Sequence, residues 1–271
     1  MILKLTNLND ILMKLKTLFA LAIIGLFSAS AYSNVYLVKN TAGNAWWPEE
    51  GDANSFKAAL FASKNNPGRD TIRFELSGGT SVSAVMNPIP ITTAHSDLLV
   101  DGYSTIDGNP IKLTFSFRVE GSNVDFKGID FQTVNNPLEI TGNNVTVDNC
   151  TFLVSGAGQN AVWIKGGNNS SITNCTFTNS KQHAVSIENG GGHTISNCSS
   201  IGSVDVAFIT RGTGGNTFTN CSASDGEHNG FGMLSRDNII EDCISFNNDR
   251  SGIAVDNSTG QSSGNIIRRN Q

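Results

Sequence analysis

The amino-acid sequence predicts an all-β fold, a single-stranded right-handed parallel β-helix with an N-terminal capping helix, and three observations carry that reading. The first is a repeat. Five cysteines align the chain on itself as DNCTF (148–152), TNCTF (173–177), SNCSS (196–200), TNCSA (219–223) and EDCIS (241–245), at spacings of 25, 23, 23 and 22 residues. The register extends backward, where FRVEGSNVDFKGIDF (117–131) matches LEITGNNVTVDNCTF (138–152) and puts Ile129 in the cysteine column. It extends forward, where GNIIRRN (264–270) matches DNIIEDC (237–243), so seven consecutive coils of 21 to 27 residues are visible. A unit of this size with short strands cannot bury its apolar face alone. Successive coils must therefore stack, with equivalent residues about 4.8 Å apart.

The second observation is a set of apolar files. Three residues before the cysteine column stand Phe126, Val147, Ile172, Ile195, Phe218, Ile240 and Ile267. Another strand of each coil pairs Leu138/Ile140, Val162/Ile164, Val185/Ile187, Ala207/Ile209, Phe231/Met233 and Ile253/Val255 around a more variable residue. A period of two means one face inward and one outward. The third observation is the column Gly128, Asn149, Asn174, Asn197, Asn220, Asp242 and Arg269, just before the cysteine. Asn tolerates the left-handed conformation of a tight bend, and stacked amides can hydrogen-bond along the coil axis. This column marks a turn. It accounts for the N-x-S/T triplets at Asn149, Asn174, Asn197 and Asn220 as by-products of turn chemistry in preference to glycosylation sites. A leucine-rich solenoid is excluded because its L-x-x-L-x-L framework is missing.

Taken in order, the chain opens with residues 1–33 as a signal peptide. Lys14 and Lys16 precede an apolar run from Leu18 to Phe27, and Ala29-Ser30-Ala31 offers small residues for cleavage. Residues 1–12 are unusual upstream of such a signal, and Met13 is the better initiator. The run is too short for a membrane span of about 20 residues, and no later stretch is a better candidate. Residues 34–271 form the parallel β-helix domain. SFKAALFASKN (55–65) places Phe56, Ala59, Leu60 and Ser63 on one helical face and ends at Asn66-Pro67-Gly68, which predicts the helix that closes the open end of the coil. GRDTIRFEL (68–76) alternates Ile72, Phe74 and Leu76 as a first strand, followed by LLVDG (98–102) and TIDG (105–108). Trp46 and Trp47 are expected to pack with the cap. At Gln271 the chain stops within a coil and without a covering helix, so the domain is expected to be a C-terminally incomplete piece or to have a disordered last coil.

Composition narrows the partners. With 271 residues, a net charge of −5 and no Lys/Arg-rich run, the chain reads as one elongated, exported domain with no footprint for nucleic acid. It is expected to be a monomer, secreted, periplasmic or on the cell surface. Five is an odd cysteine count, and the preceding coil has Ile129 in the same column. Buried free thiols are therefore expected, although neighbours stacked in register lie within the Cα range of a disulfide and that alternative stays open.

Function in a packed solenoid lies on outward columns and loops. The outward position between the paired aliphatics reads Arg118, Glu139, Trp163, Ser186, Phe208, Gly232 and Ala254. Near it Lys165 and Glu188 are vertical neighbours, His183 stacks with Asp205, and Arg211 lies one coil beyond Asn189. A long ridged ligand such as polysaccharide suits this face, with Trp163 and Phe208 as sugar platforms and cations for carboxylates. His228 and Arg236, in the loop-rich stretches 224–236 and 247–257 with Glu227, Asp249 and Arg250, are further substrate-binding candidates. The structural alternative is an ordinary solvated face of alternating charges.

The stacked Asn turn and inward aliphatic files resemble the pectin-lyase-like superfamily of right-handed parallel β-helices, explicitly over residues 117–270. The stretch SFKAAL followed by NPGRDTIRF also resembles the opening of many exported β-helix proteins. Members that cleave uronic acid polymers by β-elimination need a base and a group that neutralises the substrate carboxylate, often Ca²⁺ or Arg. By that resemblance Lys165 or His183 is the catalytic base, Arg211 the carboxylate partner, and Glu188 with Asp205 the candidate Ca²⁺ ligands. The GHG-type and paired-aspartate signature of polygalacturonase-like hydrolases is absent, as are the DPH-type element of alginate epimerases and the vWiDH-type element of pectate lyases. Two functions follow: a lyase on acidic, uronate-containing glycans, or a non-catalytic glycan-binding, adhesin or surface-spacer module.

Overall fold

The structure, a computed structural model, describes residues 33–43, 54–64, 68–84, 87–133, 135–256 and 262–271. The segment through residue 32 that was expected to be a signal peptide, Trp46 and Trp47, and Asn66-Pro67 lie outside the described residues. Residues 33–271 wind through three parallel sheets. The first sheet has ten strands, from Val35–Val38 to Ile266–Arg268; the second nine, from Ala42–Gly43 to Ile244–Phe246; the third eight, from Ile89–Ile91 to Ile253–Val255. Each full coil passes through the third, first and second sheets in turn and then pairs in register with the coil before it.

Stacking is as the repeat dictates. Phe126, Val147, Ile172, Ile195, Phe218, Ile240 and Ile267 are consecutive partners in the first sheet, one vertical file. All but Ile267 are fully buried. In the second sheet Phe131, Phe152 and Phe177 form another file, with rings stacked 4.9 Å apart. Aromatic stacking of this kind adds about 1 kcal/mol per pair to the burial of the rings.

Sharp corners make the coil possible. Gly128, Asn149, Asn174, Asn197, Asn220, Asp242 and Arg269 all adopt left-handed backbone, with φ from 52° to 61°. The amides of this column do not bond to one another as the sequence suggested. Asn174 donates to the Asp148 carboxylate at 2.8 Å, and Asn149 donates to the Tyr103 hydroxyl. Side-chain bonds along the axis run instead at the corner entering the first sheet, in an inward column that the pattern reading missed. Its members are Ser170, His193, Asn216, Asn238 and Asn265. His193 Nδ1 accepts from Ser170 N (3.2 Å), Asn216 Oδ1 from His193 N (3.1 Å), Asn238 Oδ1 from Asn216 Nδ2 (3.1 Å), and Asn265 Oδ1 from Asn238 Nδ2 (3.1 Å). Each residue of this column makes at least one hydrogen bond to a residue one coil away, which offsets most of the cost of burying it.

The predicted helix is present as Phe56–Ala62, with Ser55 capping it by accepting from Ala58 N at 3.2 Å. It occupies the place that the third sheet fills in later coils. Phe56, Ala59, Leu60 and Ser63 are buried as the helical face required, and Phe56 packs on Phe74, Phe115 and Phe117 at centroid distances of 5.4 to 6.0 Å. Asp70–Phe74 is a strand but not the first, since Val35–Val38 pairs with it from the N-terminal side. Residues 98–104 form a strand, whereas 105–108 are a turn. The final coil is ordered as a first-sheet strand.

All five cysteines are free and buried. The Cys221 thiol is pushed up to about 12, chiefly by its contact with Cys198, with burial adding to it. We expect no thiol to react with a thiol reagent in the native protein, and five to react after unfolding with or without reductant; extra thiols released by reductant would reveal a bridge. His193 gives a second test. Burial lowers its pKa from 6.5 to about 4, so between these values the unfolded chain takes up a proton that the folded chain refuses. Stability from this group is complete above about pH 6.5 and declines by up to about 3 kcal/mol as pH falls toward 4. His193→Asn, which matches its neighbours in the column, should flatten that decline in urea titrations at pH 7 and pH 4.5.

Candidate functional site

A cleft of about 360 Å³ opens on the outer face of the third sheet, lined by Asn136, Gly158, Gln159, Asn160, Trp163, Gln182, His183, Glu188 and Arg211. It forms where the connection from the second to the third sheet lengthens. Between Thr133 and Leu138 the chain has four residues, between Val154 and Val162 seven, and between Thr178 and Val185 six. The longer loops stand above the sheet as a wall. Four of the site residues expected from sequence, Trp163, His183, Glu188 and Arg211, are thus brought together.

His183 lies at the buried edge of this cleft. Its Nδ1 is 2.7 Å from the Val206 carbonyl, so Nδ1 carries the proton and Nε2 presents its lone pair. Arg211 Nη2 donates to that lone pair at 3.4 Å, and Arg211 Nη1 donates to Ser186 Oγ at 3.3 Å. Burial lowers the His183 pKa, opposed by the Val206 hydrogen bond and by Asp205, while Arg211 lowers it further. A neutral imidazole is the consequence. Asp205 stands between His183 Nε2 and His228 Nδ1, 3.8 Å from each.

Arg211 is unusual among the arginines. Arg69, Arg73, Arg118, Arg236, Arg268 and Arg269 each have a carboxylate within 4 Å. Among the described residues Arg211 and Arg250 have none, and Arg250 is exposed whereas Arg211 is half-buried in the cleft. A half-desolvated guanidinium held only by a hydroxyl and a neutral imidazole has the chemistry to accept an anion. Its backbone is fixed by Gly212, where a Cβ would sit 1.9 Å from the Glu188 carbonyl oxygen.

Lys165 is engaged elsewhere. Its Nζ is 3.4 Å from Glu139, which also pairs with Arg118 at 3.5 Å, and it lies 4.3 Å above the centre of the Trp163 ring. This cation–π contact covers one face of Trp163, so the indole is not an open sugar platform there. Glu188 lines the cleft, whereas Asp205 lies beside His183 and His228. No group of three His, Cys, Asp or Glu side chains arranged to hold a metal occurs among the described residues. Arg236 sits in the turn 234–237, more than half exposed and paired with Asp237, outside the cleft.

One expectation fails by a single residue. Val185 pairs with Phe208, Ser186 with Ile209 and Ile187 with Thr210, so Phe208 and Thr210 point inward where Ala207 and Ile209 were expected to. A one-residue slip exchanges the two faces of a strand. Phe208 is a core residue, stacked on Phe231 at 5.2 Å and edge-on to Phe177 and Phe218, not a sugar platform. A polar Thr210 is accepted inside because its Oγ1 receives bonds from Ser235 (3.0 Å) and Asn238 (3.3 Å). The same slip brings Arg211 into the column directly above Glu188. Phe208→Ala should therefore cost about 3–5 kcal/mol of unfolding free energy in denaturant titration, the range for an emptied core site, where a surface platform would cost almost nothing.

Fold and cleft together define a parallel β-helix protein with a cleft on the outer face of one sheet. The chain belongs to the right-handed β-helix family: residues 104–271 match the family described as right handed beta helix region. No curated protein sequence matches it significantly. Among solved structures it is similar to pectate lyase Pel9A, at 15% identity and a TM-score of 0.56, with 90% of this chain and 79% of that one covered. It is similar to the pectin methylesterase from Aspergillus niger, at 13% identity and a TM-score of 0.54, covering 90% and 86%. A third similarity is to the catalytic domain of a GH87 α-1,3-glucanase in complex with nigerose, at 15% identity and a TM-score of 0.54; this chain is covered over 77% but spans only 39% of that domain. At these identities the likeness is one of fold. No helix among the described residues is long and apolar enough to cross a membrane.

Proposed function

We propose that this protein is an exported, monomeric β-helix protein that acts on uronate-containing polysaccharide laid along the outer face of its third sheet, cleaving it by β-elimination. The observation that carries the reading is Arg211, the half-buried guanidinium in the cleft with no carboxylate of its own. The fold it shares with a pectate lyase, a pectin methylesterase and a glucanase supports a glycan ligand. The leader-like segment 13–33 supports export.

The chemistry follows from the two partners of Arg211. A uronate carboxylate entering the cleft is a stronger acceptor than a neutral imidazole, so it draws the guanidinium away from His183 and frees the Nε2 lone pair. His183 then takes the proton from the carbon next to the carboxylate, while Arg211 stabilises the charge that develops on the carboxylate oxygens. The electron pair moves into a new carbon–carbon double bond as the glycosidic carbon–oxygen bond breaks, and the leaving oxygen takes a proton from water. Lys165, held by Glu139 and Trp163, serves as a fixed cation beside the same groove. A non-catalytic glycan-binding role is the second reading, and the burial of His183, only 1% exposed, is the observation that favours it.

Incubation with polygalacturonate, alginate and glycosaminoglycans should yield unsaturated products absorbing in the ultraviolet. Arg211→Gln should lower the rate by about a hundredfold or more with the fold intact. Because burial lowers the pKa of His183 from its ordinary 6.5, the rate should hold below that pH and fall only at more acid values, where the imidazole gains its proton. Retention of an acidic glycan without any ultraviolet product would select the binding role instead.

A further inference from the structure

The reading of the cleft as an acidic-glycan site leads to the question of which glycan, and the inference below rests on that reading. We propose that the ligand is an alternating polymer with a carboxylate on every second sugar, and that Glu188 excludes polymers charged on every sugar. Lys165, Glu188 and Arg211 follow one another in one outward column: Glu188 N donates to Ile164 O at 2.8 Å and Arg211 N to Ile187 O at 2.6 Å. Coils rise by about 4.8 Å, close to the length of one sugar ring along an extended chain. A glycan lying along the solenoid axis therefore meets about one coil per sugar.

Charge alternates along this column. Beside its N-terminal end, in the adjoining outward column, Glu139 lies 3.5 Å from Arg118 and 3.4 Å from Lys165, a trio with one surplus positive charge. At its other end Arg211 has only Ser186 and the neutral His183 as partners. Between them Glu188, half-buried and facing the cleft, makes no ion pair among the described residues. Asp205 does not cancel Arg211, since it lies beside His183 and His228 and beyond ion-pair distance of the guanidinium.

The two positive nodes are thus two coils, about 10 Å, apart with a carboxylate between them. A uronate carboxylate suits either node and is repelled at the middle position. A neutral sugar there turns a hydroxyl or an acetamido N–H toward the Glu188 oxygens and gains a charge-assisted hydrogen bond. Discrimination by a like charge of this kind is selection against the wrong ligand as much as for the right one.

The test is equilibrium binding of the whole protein to size-matched hyaluronan oligosaccharides, in which glucuronate alternates with N-acetylglucosamine, and to oligogalacturonides, in which every sugar is acidic. Wild type should bind the alternating oligosaccharide about tenfold more tightly or better. Glu188→Gln should narrow that gap by gaining affinity for oligogalacturonide. Oligogalacturonide bound as tightly as hyaluronan by wild type overturns the proposal, and this comparison decides without the variant. An unchanged preference in a Glu188→Gln protein with the native thermal midpoint overturns it as well. Binding of neither acidic oligosaccharide overturns the acidic-glycan reading of the cleft itself.

Discussion

Everything in this molecule depends on coils pairing in register. Each strand is only two to seven residues long and has no stability of its own; its backbone groups and its inward side chains are completed by the coils on either side. The constraint is strict because strand pairing has a period of two. A file such as Ile172, Ile195 and Phe218 stays dry only if every corner between these strands turns the chain through the same angle. Left-handed residues at the corners supply that turn. It costs a β-branched residue far more than Asn, Asp or Gly, which is why the corner columns draw almost entirely on those three.

Stacking also decides what can be buried. Because an inward side chain faces its counterpart about 4.8 Å away, a polar residue inside is satisfied whenever its neighbour offers the complementary group. The column from Ser170 through His193 to Asn265 uses this, and Thr210 joins it through Ser235 and Asn238. The cysteine file is the apolar counterpart: thiols in register pack as small hydrophobes, and burial together with their mutual contacts keeps them protonated.

The sequence was legible to the extent that it repeats. Six of the seven first-sheet residues, four of the six third-sheet pairs and the left-handed corner could be read because each recurs every 21 to 27 residues in the same chemistry. The third-sheet strand at 208–210 departs from the simple alternation for a physical reason. Phe208-Ile209-Thr210 offers two apolar residues in succession, and alternation alone favours Ile209 as the inward one. Only the buried partners of Thr210, drawn from another coil, reverse the choice. The inward polar column escaped notice because Ser, His and Asn share no hydrophobic signature. The cleft was legible in its residue types, since Trp163, His183, Glu188 and Arg211 were singled out, but not in its contacts. The wall depends on a connection growing from four residues to seven, which a repeat count shows only as a coil of 25 residues.

That cleft is where the stacking rule is left unfinished. On the outer face of a parallel sheet, a charged residue is ordinarily balanced by the residue one coil above or below, and Arg118, Glu139 and Lys165 show this. By the same rule Glu188 and Arg211, which are vertical neighbours, should form an ion pair. They do not, because Arg211 is drawn toward Ser186 and the lone pair that His183 exposes, and His183 exposes it because Val206 holds the opposite nitrogen. Two opposite charges therefore stand side by side, half-buried, each without its natural partner. In a folded chain such an arrangement forgoes an available interaction, and the groups that forgo it are those turned toward the groove. In the proposed reading, a ligand that supplies an anion to one and a donor to the other regains the lost pairing, which makes the hydrogen bond from the His183 ring to Val206 the contact on which that reading depends.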